Sequence, residues 1–304
     1  MFEPSATFCF REVQKWPWRS RDEDTAVRVV QIAPPWFPIP PHGYGGIELV
    51  IAELTEGLIA AGHDVTLFAP SGARTSARLI PTMARGLGLD MTEAEKASVF
   101  HASSRAAHQV ALDLHADLIH DHTDFAPDPG YPIPIVRTMH GPATAISVVN
   151  ACQMSAAGDH FVAISHRQRE LFTAAAAARY GPGQHIAFAG MVYNPIDVAA
   201  APFYPRAAKG DGVAFVGRCH WEKGPDAAIR IARAAGIPLK LALRVTTDER
   251  PYFDTVIRPL LVASQGLAGY VGEVSGQAKD DLLGQARAVI FSSPWEEPFG
   301  LVLT

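Results

Sequence analysis

Arg218 and Lys223 stand five residues apart in VGRCHWEKG (Val216–Gly224), where an apolar run ends and Lys223-Gly224 leads into a helical pattern. An arginine and a lysine at such a point can clamp a diphosphate, the guanidinium gripping two oxygens and the ammonium adding a point charge. Exposed loop cations are common, so spacing alone does not separate a clamp from a solvated pair. A second set lies in EPFG (Glu297–Gly300), directly after the apolar run AVIFSS and the turn residues PWE. Glu297 at a helix start can complement the helix dipole or orient substrate hydroxyls. The backbone N–H groups of Phe299, Gly300 and Leu301 are placed to meet a sugar phosphate. A third set is HGYGGIE (His42–Glu48), in which Gly45 and Gly46 let the backbone approach an anion at a helix N-terminus. The dinucleotide pattern G-x-G-x-x-G fails there, because position 48 is Glu and the preceding loop is too long for a tight turn. The fourth set joins DLIHDHTDF (Asp117–Phe125) to TMHGP (Thr138–Pro142). His120 and His122 share one side of a strand, the spacing of an H-x-H metal site, but no cysteine or H-E-x-x-H helix adds ligands, and no metal is expected. His140 either faces a cleft as a polar group or caps the helix that follows.

Open α/β sheets bind ligands at the carboxyl ends of their strands, and the chain supplies the elements to put all four loops there. Buried-strand patterns at VRVVQIA, VTLFAP, DLIH, IPIVRTM and FVAIS alternate with helical patterns that include about Ala94–His115, Ala143–Ala157 and a stretch ending near Tyr180. Proline and glycine interrupt the pattern between Asn194 and Gly212, and the alternation restarts with VAFVGR, helix Pro225–Ala235, LKLALRV, helix Pro251–Gln265, GYVGEV, helix Gln277–Gln285 and AVIFSS. The expected architecture is α/β, with two Rossmann-like domains facing each other across a cleft. Residues 1–26 are read as a tail, 27–195 as the first domain and 196–304 as the second. The 304 residues are 48% hydrophobic and 19% charged, which is enough to build such cores. A net charge of -5 argues against a broad nucleic-acid surface, and three scattered cysteines make no disulfide framework, which favours the cytoplasm. No apolar run is long enough to span a bilayer.

In this order, at these strand ends, the four loops resemble the family 4 retaining glycosyltransferases of the GT-B fold. AGHDVTLFAP, FVAIS before a helix, and NPID add to the resemblance, which runs from Val27 to Thr304. It implies that Gly45 and Gly46 face the donor pyrophosphate, that Arg218 and Lys223 hold the diphosphate, and that His140 contacts the sugar. Glu297 becomes the first glutamate of a Glu-x7-Glu motif whose second member would be residue 305. The resemblance thus reads the chain as C-terminally truncated, with an incomplete second domain and poor activity. The implied reaction moves a hexose from a nucleotide diphosphate sugar such as UDP-glucose to a hydroxyl acceptor, with no cofactor and no metal. His140 and Glu297 are the catalytic candidates. Trp36–Tyr44 is expected to face the acceptor, and peripheral membrane contact is left open. Two rivals remain: a non-catalytic nucleotide-sugar-binding fragment, and an NAD-dependent sugar-nucleotide oxidoreductase or epimerase, against which the failed glycine fingerprint counts.

Overall fold

The computed structural model describes residues 26–84, 86, 93–123, 131–183, 185–198, 202–204 and 210–304. The expected tail up to residue 25, Phe125 and part of the 194–212 connection lie outside them. Seven parallel strands form the first sheet: β1 (Arg28–Ile32), β2 (Asp64–Ala69), β3 (Arg78–Pro81), β4 (Leu118–Asp121), β5 (Ile135–Met139), β6 (His160–Ala163) and β7 (Phe188–Met191). Their order is β3-β2-β1-β4-β5-β6-β7, so the winding reverses between β1 and β4. Helices α1 (Gly46–Ala60), α2 (Glu93–Asp113), α3 (Ala145–Ala156) and α4 (His166–Tyr180) connect them. Burial of Val30, Ile32, Phe68, Ile119 and Ile135 on one side, and of Ile39, Ile51 and Leu67 on another, explains the continuous apolar runs of β1 and β2. Thr144 caps α3 reciprocally with Ser147, and the Ser165 hydroxyl caps α4 by accepting from the Gln168 N–H.

The second sheet has the order β10-β9-β8, from β8 (Val213–Arg218), β9 (Leu239–Arg244) and β10 (Ala268–Gly272), all parallel. Helix α5 (Pro225–Ala235) packs on it through Ala228, Ile229 and Ala232, in a core with Phe215, Leu241, Leu243, Phe253 and Ile257. Helix α8 (Gly276–Gln285) follows β10. Two elements differ from expectation. The stretch Pro251–Gln265 is not one helix: α6 (Arg250–Tyr252) passes through a π turn (Phe253–Ile257) into α7 (Arg258–Ala263). Pro259 has no N–H to give to the carbonyl four residues back, and the helix widens before it. AVIFSS is reduced to one parallel bridge, Ala214 to Val289, on the free edge of β8. Backbone bonds from Ala214 N to Ala288 O and from Ile290 N to Ala214 O still fix it there, so this sheet too reverses its winding beside β8.

A buried ionic group ties the carboxyl side of the first sheet. The Arg137 guanidinium, 2% exposed, donates to Asp121 (2.8 Å), Asp159 (2.6 Å) and the Thr123 carbonyl (3.1 Å), thereby linking β4, β5 and the lead into β6. Breaking such a pair strands uncompensated charge in the interior. Arg137→Ala is therefore expected to lower unfolding free energy by about 3–5 kcal/mol, read from urea unfolding midpoints at constant slope. A loss below about 1 kcal/mol would mean that water reaches the carboxylates and the group is peripheral.

Candidate functional site

The crevice of the second sheet lies beside β8, where its chain leaves on one side and residues 288–290 leave on the other. After β8 the chain makes a short 3-10 turn (Trp221–Lys223) and enters α5 through Gly224, whose φ of 69° is left-handed. A Cβ at Gly224 would lie 2.1 Å from the Ser292 carbonyl oxygen, so only glycine fits. The two loops are laced together: Ser292 Oγ donates to Gly224 O (2.7 Å) and Ser293 Oγ to Glu222 O (2.7 Å). That lacing brings Lys223 Nζ to 2.5 Å from Glu297 Oε2. The Trp295 indole N–H donates to the same oxygen (2.9 Å), and the Lys223 ammonium sits 5.3 Å from the centre of the Trp295 ring. Glu297 is thus held as an acceptor for Lys223 and Trp295 and does not cap a helix. The only helical turn beyond it is the 3-10 turn Leu301–Leu303.

Arg218 reaches the same crevice but turns elsewhere, with Nη2 3.4 Å from Glu222 and Nη1 3.5 Å from the buried Glu249. Arg218 and Lys223 therefore share a strand-end loop, as the spacing predicts, while each faces its own carboxylate.

From the first domain, Gly46 opens α1 opposite Leu301: a Cβ on Gly46 would stand 3.2 Å from Leu301 Cδ1. Gly45 is required by packing, since its Cβ would meet Pro41 at 2.6 Å. Ser165 Oγ donates to the Pro298 carbonyl (2.6 Å), Arg167 forms a two-pronged pair with Glu296, and the Tyr193 ring lies 6.0 Å from that of Phe299. The segment Glu296–Leu301 is thereby seated against the first domain beside Gly46.

His140 leaves the end of β5, with its Nε2 3.0 Å from His122 Nδ1. His120 stacks on His122 at 4.4 Å and bonds the Thr138 hydroxyl (2.8 Å). Burial pushes His120 down to about 4, His140 down to about 3, and His122 well below the usual histidine range. All three rings are neutral at pH 7, so His140 serves as a hydrogen-bonding group without charge. One ring of the His122–His140 bond donates and the other accepts. Capping of α3 falls to Thr144, which frees His140 from that role. The His140 loop joins Glu297's through Gln168, whose side chain donates to Met139 O and Gly141 O and whose backbone N–H donates to Ser165 Oγ. Among the described residues, no three His, Cys, Asp or Glu side chains are grouped to hold a metal.

Three site residues escaped the reading of motifs. His122 figured only as a metal candidate. Glu48, in the first turn of α1, is 3% exposed, and burial raises its carboxyl to about 7. Arg244, paired in register with Arg218, projects from β9 onto Phe37 (5.0 Å) and Tyr44 (4.8 Å) of the first domain. Its position at the end of LKLALRV was the available signal.

Residues 44–187 match the sequence model of Glycosyltransferase Family 4. The fold is shared with AviGT4, a glycosyltransferase involved in avilamycin A biosynthesis (23% identity, TM-score 0.57), over 91% of this chain and 75% of that one. It is also shared with sucrose-phosphate synthase from Thermosynechococcus elongatus (16% identity, TM-score 0.67; 91% and 77% covered). Anabaena HepE, solved with UDP and glucose, matches at 14% identity and TM-score 0.63 over 91% of this chain and 77% of that one. No curated protein matches. The two parallel sheets facing one another have the GT-B fold of these structures. Over residues 44–187, which lie in its first domain, the chain is similar to glycosyltransferase family 4. No helix among the described residues is long and apolar enough to cross a membrane.

Glu48 makes stability depend on pH. Its folded pKa of about 7 exceeds the ordinary 4.5, so the folded state holds the proton that the unfolded state gives up. Stability is fully present below the unfolded value and is lost as pH rises towards and through 7. The loss should approach about 3 kcal/mol. Glu48→Gln removes the titration, so denaturant midpoints of variant and parent should converge near pH 5 and separate in the variant's favour at pH 8. Parallel pH profiles would show that Glu48 stays charged.

Proposed function

We propose that this protein transfers a hexose, with retention, from a nucleoside diphosphate sugar to a hydroxyl acceptor. The observation that carries the reading is the Lys223–Glu297 pair, laced into the crevice beside β8 with Gly46 seated over Leu301. The bond from the anomeric carbon to the donor's phosphate oxygen breaks, and its electron pair leaves with the nucleoside diphosphate. The acceptor oxygen bonds to that carbon on the same face, and its proton passes to the departing phosphate oxygen. Charge therefore develops on the diphosphate, and the task is to stabilise it with preplaced donors. Lys223 and Arg218 supply the cations, and the backbone N–H groups of Phe299, Gly300 and Leu301 the remaining donors. Glu297, with Trp295 and Lys223 on one oxygen, is held to accept from sugar hydroxyls. Neutral His140, its tautomer fixed by the bond to His122, orients the hexose. With these cations the reaction needs no metal, and the three scattered cysteines fit a cytoplasmic setting.

A charge-assisted hydrogen bond is worth about 1.5–3 kcal/mol, so Arg218→Ala and Lys223→Ala should each weaken nucleoside diphosphate binding about ten- to a hundredfold. Calorimetry with UDP, ADP and GDP in turn identifies the base and tests the clamp. Affinity unchanged in both variants for whichever diphosphate binds would remove it. EDTA should leave donor turnover intact, and loss restored by manganese or magnesium would assign the diphosphate charge to a metal instead.

A further inference from the structure

We propose that Arg244 is a separate anion-binding residue of the cleft, and that the cavity it walls at the ends of β9 and β10 takes a phosphate or carboxylate group of the substrate. The proposal rests on the glycosyltransferase reading above for what the substrate is.

The cavity measures about 530 Å³ and is lined by Arg244, Thr246, Thr247, Arg250 and Glu273, with Val245 and Pro251. Two guanidinium groups and two hydroxyls against one carboxylate make it a receptor for negative charge. It lies on the far side of β8 from residues 288–290, and neither Lys223 nor Glu297 lines it.

Arg244 differs from the other cleft cations in what it touches. Lys223 is paired with Glu297, and Arg218 lies beside Glu222 and Glu249. Among the described residues Arg244 has no carboxylate within ion-pair distance, and its Nη1, shielded from solvent, has no hydrogen-bond partner. A guanidinium without a counter-charge is costly, and Arg244 is one of the two arginines lining the cavity, where an anion would supply that charge. The guanidinium is also preplaced: it rests against Phe37 and Tyr44, whose rings meet edge to face at 6.2 Å. Glu273 does not neutralise it, because the Glu273 carboxylate is drawn across the cleft to the Tyr44 backbone N–H (3.1 Å). The cavity therefore opens where the aromatic loop of the first domain meets the second domain, next to the donor crevice.

The bland reading is that Arg244 only clamps the two domains through those rings, and the test must separate the two. Inorganic phosphate is titrated calorimetrically into protein saturated with UDP, for the parent, Arg244→Gln and Phe37→Leu. The parent should bind phosphate, Arg244→Gln should lose about tenfold or more in phosphate affinity, and its UDP affinity should stay within about twofold. Phe37→Leu keeps the guanidinium and should keep phosphate binding. If UDP excludes phosphate and Arg244→Gln weakens UDP itself, the anion is the donor's own diphosphate, and the separate subsite is overturned. If both affinities are unchanged in Arg244→Gln, or if Phe37→Leu loses as much as Arg244→Gln, the proposal is overturned. Failure of the parent to bind any nucleoside diphosphate would sink the functional reading alone, and phosphate titrated into free protein would then decide Arg244.

Discussion

The first half of the site depends on one buried charge. Arg137 sits in the middle strand of β4, β5 and β6, paired in register with Asp121 of β4 and Phe161 of β6. Its guanidinium is closed in by Asp121 and Asp159. A cation this deep is tolerable only with both carboxylates present, and their positions leave little freedom in how the three strand ends are staggered. His120, His122 and His140 all emerge from those ends. Their stacking, their neutral state and the bond from His122 to His140 follow from where the ionic group puts the backbone. The histidines are buried enough to lose their charge, and His120 and His122 flank Asp121 of the ionic group. The arrangement keeps the His140 ring uncharged and holds it against His122.

The second half uses a different balance. The Lys223–Glu297 pair is partly exposed, with 21% and 17% of the side-chain surface accessible. Nothing in it resembles the sealed environment of Arg137. On the proposed reading, a diphosphate would compete for the Lys223 ammonium while Trp295 still holds one Glu297 oxygen. What is rigid here is the backbone: Gly224 against the Ser292 carbonyl, with two serine hydroxyls bridging the loops. Rigid loops carrying exchangeable charges are what electrostatic stabilisation of a leaving group requires.

Much of this was legible in the sequence because it depends on local pattern. Buried parallel strands are apolar throughout, and helices announce themselves by period. The edge strands β3 and β7 were missed because RLIP and FAGM are four residues long, one ending in proline and the other carrying a glycine. Such edge pairings are decided by tertiary neighbours. The site followed the same division. Arg218, Lys223, Glu297 and His140 stand beside glycines or prolines at strand ends and could be picked out by motif. Arg244 and Glu48 could not, because their significance lies in what they face across the cleft. Burial of a glutamate in the first turn of a helix looks, in sequence, like ordinary dipole complementation.

Among the described residues, contacts that cross between the domains are made by loops of the candidate site. Ser165 and Arg167 hold the segment after Glu297, Tyr44 meets Glu273, and Arg244 meets Phe37 and Tyr44. The Arg167–Glu296 pair is exposed on both sides, so salt and water screen it. The clusters of buried apolar residues lie within one sheet region or the other, and apart from Gly46 under Leu301 the contacts named across the cleft are polar or aromatic. An interface of that kind is weak alone and is shaped for something to be placed in it. The glycines at 45 and 46 follow from the same logic, one pressed on Pro41 and the other under Leu301, because the first domain must approach the second by its backbone. The candidate site and the domain contact therefore draw on the same few loops, so a ligand in the crevice beside β8 would lie against residues that also hold the two domains together.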